Sequence, residues 1–245
     1  MNQVLLVGAT SAIAQALARQ LAAKGARLVL WGRSQRKLEI VAEDLRVRYG
    51  AIVSVTAFDF SDFSQHRIAL EKTIAESGDL DVAVICHGSL GNQAACQENF
   101  SLTELELRTN CLSTLSFLSL LANYFEKRGE GTLAAISSVA GDRGRQSNYV
   151  YGTAKAAVNT YLQGLRNRLY SKGVHVLTIK PGFVDTPMTA HLRQGPLFAS
   201  ADRVARDIVK AIEKKKCIIY TPWFWRWIML LIRLIPEPVF RRLKL

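Results

Sequence analysis

A tyrosine and a lysine four residues apart carry the clearest chemical signal in the sequence. Tyr151 and Lys155 lie in a segment, 149–171, that we predict to be a helix, so their side chains share one helix face. A phenol with a pKa of about 10 is a poor acid or base at neutral pH, and a nearby ammonium favours its phenolate form. Ser138 can hydrogen-bond to the same reacting oxygen. The three residues predict a proton-transfer site, although a surface Tyr and Lys at this spacing are also common by chance.

A glycine turn near the start of the chain predicts a binding site for a dinucleotide. Gly8 follows an apolar run at 3–7, and a helix is predicted to begin at Ala12. Backbone N–H groups of such a turn, together with the helix dipole, bind a pyrophosphate. The usual fingerprint has three glycines, and here Ala12 and Ala14 replace two of them. A strand-to-helix turn that only packs small residues remains the alternative. The turn residues predicted to contact the cofactor are Gly8, Thr10, Ser11, Ala12 and Ile13.

The end of the second apolar run predicts which cofactor is used. A carboxylate at this point binds the ribose 2′-hydroxyl of NAD, whereas an arginine pairs with the 2′-phosphate of NADP. Gly32 occupies the carboxylate position and Arg33 follows it. The sequence therefore predicts NADP(H), the alternative being a solvated arginine in a polar loop.

These motifs need strands and helices to position them, and the hydrophobic pattern supplies both. Short apolar runs alternate with segments of helical periodicity, which predicts an α/β fold: a doubly wound, mostly parallel Rossmann-type sheet of about seven strands with helices on both faces. We predict one catalytic domain at 1–222 and a basic, Trp-rich amphipathic tail at 223–245. The predicted strands are 3–7, 27–31, 52–57, 80–86, 132–137, 174–179 and 217–221.

Composition narrows the class of protein further. The chain has 245 residues, 49% of them apolar, which excludes disordered and collagen-like classes. Four cysteines without CxxC spacing indicate reduced thiols rather than disulfides or a metal site, and with an apolar start too short for a signal peptide they predict a cytoplasmic protein. The formal charge is +12, but residues 213–245 carry eight basic and two acidic residues, 8 − 2 = +6, so half of it lies in the tail. We therefore expect no nucleic-acid partner.

With these motifs in this order, residues 3 to about 222 closely resemble the short-chain dehydrogenase/reductase family. The resemblance implies that Asn110, within a helix expected at 102–125, is the fourth catalytic residue beside Ser138, Tyr151 and Lys155. It also implies further cofactor contacts, from the adenine to the nicotinamide, at Asp59, Phe60, Gly88, Pro181, Gly182, Val184 and Thr186. In that family, the tyrosine protonates the nascent alkoxide, the lysine lowers its pKa and holds the nicotinamide ribose, the serine positions the carbonyl, and the asparagine anchors a relay water. We also expect a homo-oligomer, a dimer or tetramer.

Two departures from the family pattern matter. Ile85-Cys86-His87-Gly88 replaces the usual Asn-Asn-Ala-Gly, which removes side-chain hydrogen bonds that brace the central strands. The alanines at Ala12 and Ala14 affect the approach of the pyrophosphate. We interpret His87 as a packed, hydrogen-bonded residue beside the cofactor rather than a catalytic base or metal ligand, because no partner ligands surround it.

The substrate is less constrained. The segment 183–200 is expected to close over it, and its residues Met188, His191, Leu192, Leu197 and Phe198 suggest a hydrophobic molecule. The basic, Trp-rich tail resembles the subgroup that reduces a keto-sugar carried on a polyprenyl phosphate. A ketoacyl-thioester reductase or a reductase of lipophilic ketones fits nearly as well. A non-catalytic NADP(H)-binding regulator would not need the four catalytic residues.

The tail itself predicts contact with a membrane surface. Eleven of the thirteen residues from 223 to 235 are apolar and three of the four Trp lie within five positions, but the run is too short to span a bilayer. Trp favours the interface and basic residues favour anionic headgroups, so the tail is expected to lie flat on the membrane and to make the protein peripheral. A cap over the substrate cleft or a subunit contact is the alternative. The flanking basic residues are Arg226, Arg233, Arg241, Arg242 and Lys244.

Overall fold

A seven-stranded parallel sheet forms the centre of the protein. The structure is a computed structural model, and it describes residues 2–190 and 192–243. The order of strands across the sheet is β3-β2-β1-β4-β5-β6-β9, and a small two-stranded sheet pairs β7 with β8. The strands are β1 (Gln3–Val7), β2 (Arg27–Gly32), β3 (Val53–Ala57), β4 (Val82–Ile85), β5 (Gly131–Ile136), β6 (Val174–Pro181), β7 (Phe183–Asp185), β8 (Phe198–Ser200) and β9 (Ile218–Thr221).

Helices cover both faces of the sheet. A π-helical turn at Arg108–Leu112 lies between α5 and α6, and 3₁₀ turns occur at Val139–Gly141 and Pro187–Thr189. The α-helices are α1 (Ala12–Ala22), α2 (Gln35–Tyr49), α3 (Ser64–Ser77), α4 (Gln93–Glu98), α5 (Phe100–Leu107), α6 (Ser113–Arg128), α7 (Tyr149–Tyr170), α8 (Ala201–Glu213), α9 (Trp225–Leu234) and α10 (Glu237–Phe240).

The alternation of side chains along β1 shows why both faces must be covered. Val4 and Leu6 point into a core shared with α1, α2 and α8, whereas Leu5 and Val7 point into a second core shared with α3, α6 and α7. All four side chains are fully buried. A strand that is apolar on both faces is typical of a parallel sheet between two helical layers, so the predicted fold class is confirmed.

The chain reverses its direction of winding between β1 and β4, which are neighbours in the sheet although two strands separate them in sequence. Ligands of such sheets bind beyond the carboxyl ends of the strands at this switch point. Gly8 follows β1 and Gly88 follows β4, so two predicted cofactor residues lie side by side there.

The helix expected at 102–125 is wrong in one respect. It is interrupted by the π-helical turn at Arg108–Leu112, which contains Asn110. The Asn110 side-chain amide donates a hydrogen bond to the backbone carbonyl of Glu106 at 3.1 Å. This carbonyl lies one helical turn earlier in the chain. Such π turns are rare in helices and occur often at functional sites.

The first part of the tail packs against the domain. Trp225 and Met229 of α9 are buried and form a small core with Val139. A Cβ atom added to Gly182 would lie 1.9 Å from Trp225 Nε1, so the indole packs directly on that glycine. The domain boundary at 222 stays a prediction, but the first turns of the tail helix belong to the packed structure.

Gly8 is required by its backbone angle and by its neighbour. Its φ of +84° lies in the left-handed region, and an added Cβ would lie 2.7 Å from the backbone nitrogen of His87. The turn after β1 therefore depends on close contact with the loop after β4.

We expect Gly8→Ala to destabilise the protein far more than Gly25→Ala. Both glycines have positive φ, but an added Cβ at Gly25 meets nothing within 4 Å. The control should cost only the backbone strain, about 1–2 kcal/mol, whereas Gly8→Ala adds a steric clash of about 1–3 kcal/mol. Urea unfolding measures both, and equal losses of stability would contradict the argument.

Candidate active site

One cleft at the carboxyl ends of the strands collects the predicted residues. It has a volume of about 780 Å³. Every predicted catalytic or cofactor residue except Asn110 lines it, and these are Gly8, Thr10, Ser11, Ala12, Ile13, Arg33, Asp59, Phe60, Gly88, Ser138, Tyr151, Lys155, Pro181, Gly182, Val184 and Thr186. These residues extend from position 8 to position 186 of the sequence, so the fold brings them together. Their individual roles stay predictions.

The end of the cleft that is predicted to bind the pyrophosphate lies at the start of α1. The Ser11 hydroxyl caps the helix by accepting a hydrogen bond from the backbone N–H of Ala14 at 3.3 Å. Within the described residues, the backbone N–H groups of Ala12 and Ile13 donate to no protein acceptor. Ala14 itself is fully buried. The small residues pack the helix against the sheet, and the free N–H groups suit a pyrophosphate.

The end of β2 presents Arg33 to the same cleft. A Cβ added to Gly32 would lie 3.0 Å from Leu38 Cδ2, so a carboxylate side chain has no ready space at that position. Arg33 is exposed, and in the part of the chain that the structure describes it forms no salt bridge. Hydrogen bonds from Ser61 lower the pKa of Asp59, and the positive charge of Arg33 adds to this lowering.

Tyr151 and Lys155 share one face of α7 above the sheet. The Lys155 ammonium lies 5.6 Å from the centroid of the Tyr151 ring and donates a hydrogen bond to the carbonyl of Ile136 at 3.1 Å. Burial lowers the pKa of Lys155 to about 8, an effect that the nearby Cys111, Cys86 and Glu106 partly oppose.

The pKa of Tyr151 lies above its ordinary value, and the lowering expected from Lys155 stays a prediction. Burial raises the pKa of Tyr151 to about 12, and a hydrogen bond with Ser138 lowers it only in part. The negative charge of Glu106 raises it further. The phenol is therefore fully protonated at neutral pH, which is the form that donates a proton.

Asn110 lies behind the cleft wall instead of lining it. Its side chain is fully buried, and its Oδ1 accepts a hydrogen bond from the backbone N–H of Ser89 at 2.9 Å. A Cβ added to Gly88 would lie 2.8 Å from Asn110 Oδ1 and 3.5 Å from Lys155 Nζ. Asn110, Lys155 and Gly88 therefore converge at one point, although the Asn110 amide is already engaged.

Glu106 is a site residue that the sequence analysis missed. Its carboxylate lines the cleft and accepts hydrogen bonds from the Ser89 hydroxyl at 2.9 Å, the Asn110 amide at 2.9 Å and the Gly91 N–H at 3.1 Å. It thus fixes the loop after β4 to the π-helical turn. The available signal was its spacing of four residues from Asn110 in a predicted helix.

His87 is packed among aromatic rings and hydrogen-bonded, in agreement with its interpretation from the sequence. The Ser113 hydroxyl donates its proton to the carbonyl of Thr109, so His87 Nε2 is the donor in its 2.6 Å hydrogen bond to Ser113 Oγ. Burial, with the positive charge of Lys155, lowers the pKa of His87 to about 3. The imidazole is therefore neutral and cannot act as a base that becomes charged near neutral pH.

The loop behind Ser138 is held by a buried ion pair. Asp142 accepts hydrogen bonds from Lys180 Nζ at 2.5 Å and from the Tyr220 hydroxyl at 2.7 Å. The side chains of Asp142 and Lys180 are 3% and 8% exposed. Next to it, Arg143 donates hydrogen bonds to the tail carbonyls of Ile232 and Ile235.

The segment expected to close over the substrate is only partly a loop, because it contains β7, a 3₁₀ turn and β8. Met188 and Leu192 line the cleft. Phe198 instead stacks on Phe183, with ring centroids 5.2 Å apart, and Leu197 is 41% exposed. His191 lies outside the described residues.

Comparison with known proteins identifies the family. The family model described as short chain dehydrogenase matches residues 2–197. The chain is 35% identical over 240 residues to an uncharacterized oxidoreductase of Mycobacterium tuberculosis, covering 98% of this chain and 96% of that protein. It is 30% identical over 234 residues to dehydrogenase/reductase SDR family member 7B of Danio rerio, covering 88% and 76% of the two chains. A short-chain dehydrogenase from Sphingobium yanoikuyae in complex with NADPH has a similar structure, with a TM-score of 0.80, 22% identity and 97% coverage of both chains. With a seven-stranded doubly wound sheet and a Ser-Tyr-Lys cleft at its switch point, the chain belongs to the short-chain dehydrogenase family of oxidoreductases.

Proposed function

We propose that the protein is an NADP(H)-dependent reductase of a carbonyl group on a hydrophobic or lipid-linked substrate. The observation that carries this proposal is the convergence of Ser138, Tyr151 and Lys155 on one cleft wall, with a protonated phenol. The cofactor residues occupy the other part of the same cleft. When bound, the reduced nicotinamide supplies a hydride to the carbonyl carbon.

The protein's own residues then account for the proton. Ser138 and Tyr151 hydrogen-bond to the carbonyl oxygen, and Tyr151 donates its proton to the oxygen as negative charge develops there. The charge of Lys155 beside the ring stabilises the phenolate that remains. Apolar side chains of Leu90, Leu105, Met188 and Leu192 line the cleft and favour a hydrophobic substrate.

Tyr151→Phe should keep the packing of the ring but remove the proton donor. We expect kcat to fall by roughly 10²–10⁴, the contribution of general acid catalysis, while NADPH binding persists. Tyr149→Phe is the matched control, because Tyr149 is 42% exposed and does not line the cleft. NADPH oxidation is measured with carbonyl compounds that co-purify from a membrane extract. Equal losses in the two variants would refute the assignment of Tyr151.

The NADP preference rests on Arg33. A guanidinium that pairs with the 2′-phosphate contributes about 1.5–3 kcal/mol, so NADPH should bind roughly 10–100-fold more tightly than NADH. The similar structure from Sphingobium yanoikuyae is in complex with NADPH, which is consistent with this proposal.

Arg33→Ala should remove most of this difference, whereas Arg36→Ala should leave it unchanged. Arg36 is also exposed and lies three residues further along, but it does not line the cleft. Fluorescence titration with both cofactors measures the two affinities. Equal affinity of the unaltered protein for NADPH and NADH would contradict the assignment.

We propose further that the outward face of α9 contacts an anionic membrane surface. One face of the helix is packed on the domain through Trp225 and Met229. The opposite face exposes apolar side chains at helical spacing, namely Trp227, Leu230, Leu231 and Leu234, and Trp223 before the helix is 65% exposed. Exposed Arg226, Arg233, Arg241 and Arg242 flank this face, and Lys244 lies outside the described residues.

An amphipathic surface of this kind suits the membrane interface. Each basic residue near an anionic surface contributes about 1 kcal/mol, which salt weakens. Burial of Trp and Leu side chains adds a part that salt does not remove. Among the described residues, no helix is both long and apolar enough to cross a membrane.

Trp227→Ser with Leu231→Ser should reduce binding to anionic vesicles by about tenfold or more, because two large side chains lose their burial in the interface. Phe100→Ser is the control, since Phe100 is 75% exposed elsewhere on the surface. Co-sedimentation with phosphatidylglycerol vesicles at low and high salt measures the effect. Truncation at Pro222 is less informative because it removes the buried Trp225 and Met229.

Two results would contradict the membrane proposal. The unaltered protein could remain in the supernatant with anionic vesicles. Alternatively, sedimentation velocity could show a dimer or tetramer that the double variant dissociates, which would assign this face to a second copy of the chain and support the expected homo-oligomer instead.

A further inference from the structure

The cleft wall beside Tyr151 carries two polar side chains that the proposed reaction does not use. Arg145 and Asn148 line the cleft in the loop between the 3₁₀ turn at Val139–Gly141 and α7. Arg145 Nε and Asn148 Oδ1 are buried and, within the described residues, have no hydrogen-bond partner. An unpaired buried polar group costs about 1–3 kcal/mol, so such groups call for an explanation.

The Asn148 side chain makes no capping hydrogen bond, because Gln93 caps the start of α7 instead. It occupies the N-cap position of α7, where an asparagine side chain normally accepts a hydrogen bond from the first turn of the helix. Here Gln93 Oε1 accepts the bond from the Val150 N–H at 3.0 Å, and the Asn148 side chain makes no capping bond. Tyr151 is three positions after Asn148, so both lie on one side of the first turn.

Among the described residues, Arg145 forms no salt bridge, because the nearby carboxylates bind other residues. Asp142 is bound by Lys180 and Tyr220, and the Glu106 carboxylate is bound by Ser89, Gly91 and Asn110, as described above. Among the described residues, no carboxylate lies within salt-bridge distance of the Arg145 guanidinium. Burial lowers the pKa of Arg145, and attraction to Asp142 offsets only part of that effect. The loop therefore holds a half-buried guanidinium whose Nε is fully buried and which has no counter-ion in the part of the chain that the structure describes.

We infer that Arg145 and Asn148 recognise the substrate: the Arg145 guanidinium binds an anionic group, a phosphate or a carboxylate, and Asn148 Oδ1 accepts a hydrogen bond from a hydroxyl of the same molecule. A guanidinium presents paired N–H donors that match the oxygens of either anion. This inference rests on the proposed function, because it places the anion beside the carbonyl that Tyr151 protonates. With the apolar cleft residues, it makes the substrate amphipathic.

A matched pair of probes tests the anion site without the natural substrate. Glycerol and sn-glycerol 3-phosphate share their hydroxyl groups and differ by one phosphate. Titration of the NADPH-bound protein, followed by ligand-observed NMR, should show that the phosphate improves binding by roughly tenfold or more. Arg145→Met should remove this preference, and Arg145→Lys should restore part of it. Gln146→Met, at an exposed neighbour in the same loop, should leave it unchanged.

Asn148→Asp gives a second variant with the same shape. A carboxylate at this position should weaken binding of the phosphate probe by repulsion and leave glycerol binding nearly unchanged. Absence of detectable sn-glycerol 3-phosphate binding, equal binding of the two probes, or a phosphate preference that survives Arg145→Met would overturn the inference. Loss of NADPH affinity in Arg145→Met would also overturn it, because the guanidinium would then belong to the cofactor site.

The proposed function fails separately. If the unaltered protein does not bind NADPH, the reductase proposal is refuted. The same probe pair, compared between the free unaltered protein and free Arg145→Met, still decides whether the anion site at Arg145 exists.

Discussion

The buried carboxylate of Asp142 connects the parts of the molecule that meet at the active site. It binds Lys180 at the end of β6 and Tyr220 in β9, and it stands four residues after Ser138. Loss of one partner from a buried ion pair costs about 3–5 kcal/mol, because the remaining charge has no counter-ion. The loop that carries Ser138, Arg143 and Arg145 is therefore fixed to the sheet edge, and the side chains of the cleft wall have little freedom to adjust.

A second set of contacts replaces the bracing lost with the Asn-Asn-Ala-Gly stretch. His87 Nε2 donates to Ser113, and Glu106 accepts bonds from Ser89, Gly91 and Asn110. The bonds of His87 and those of Glu106 both link the loop after β4 to the segment around the π turn. The departure in sequence is thus compensated by residues of a different chemical type at the same junction.

The pattern of apolar runs was sufficient to predict the sheet, because parallel strands buried on both faces read as short continuous apolar segments. The start of α1 at Ala12 and of α7 at Tyr149 also agreed with the sequence. The π turn at Asn110 was not predicted, because it accompanies a hydrogen bond between the Asn110 amide and the Glu106 carbonyl that residue spacing does not reveal. The Tyr151 pKa likewise depends on burial, which spacing alone does not reveal. The tail was ambiguous because α9 is apolar on both faces, and only the fold decides which face is covered.

The contact between Gly182 and Trp225 has a consequence for how this chain varies among its relatives. The indole lies where any side chain at position 182 would have to go, so the two positions cannot change independently. In a relative with a larger residue at position 182, the indole must be absent or the whole helix displaced. The side chain at position 139 would then have to pack against a different residue. The tail packs on Gly182 and Val139, which both line the cleft, so exchanging the tail between two members of the family would alter the packing behind the cleft wall.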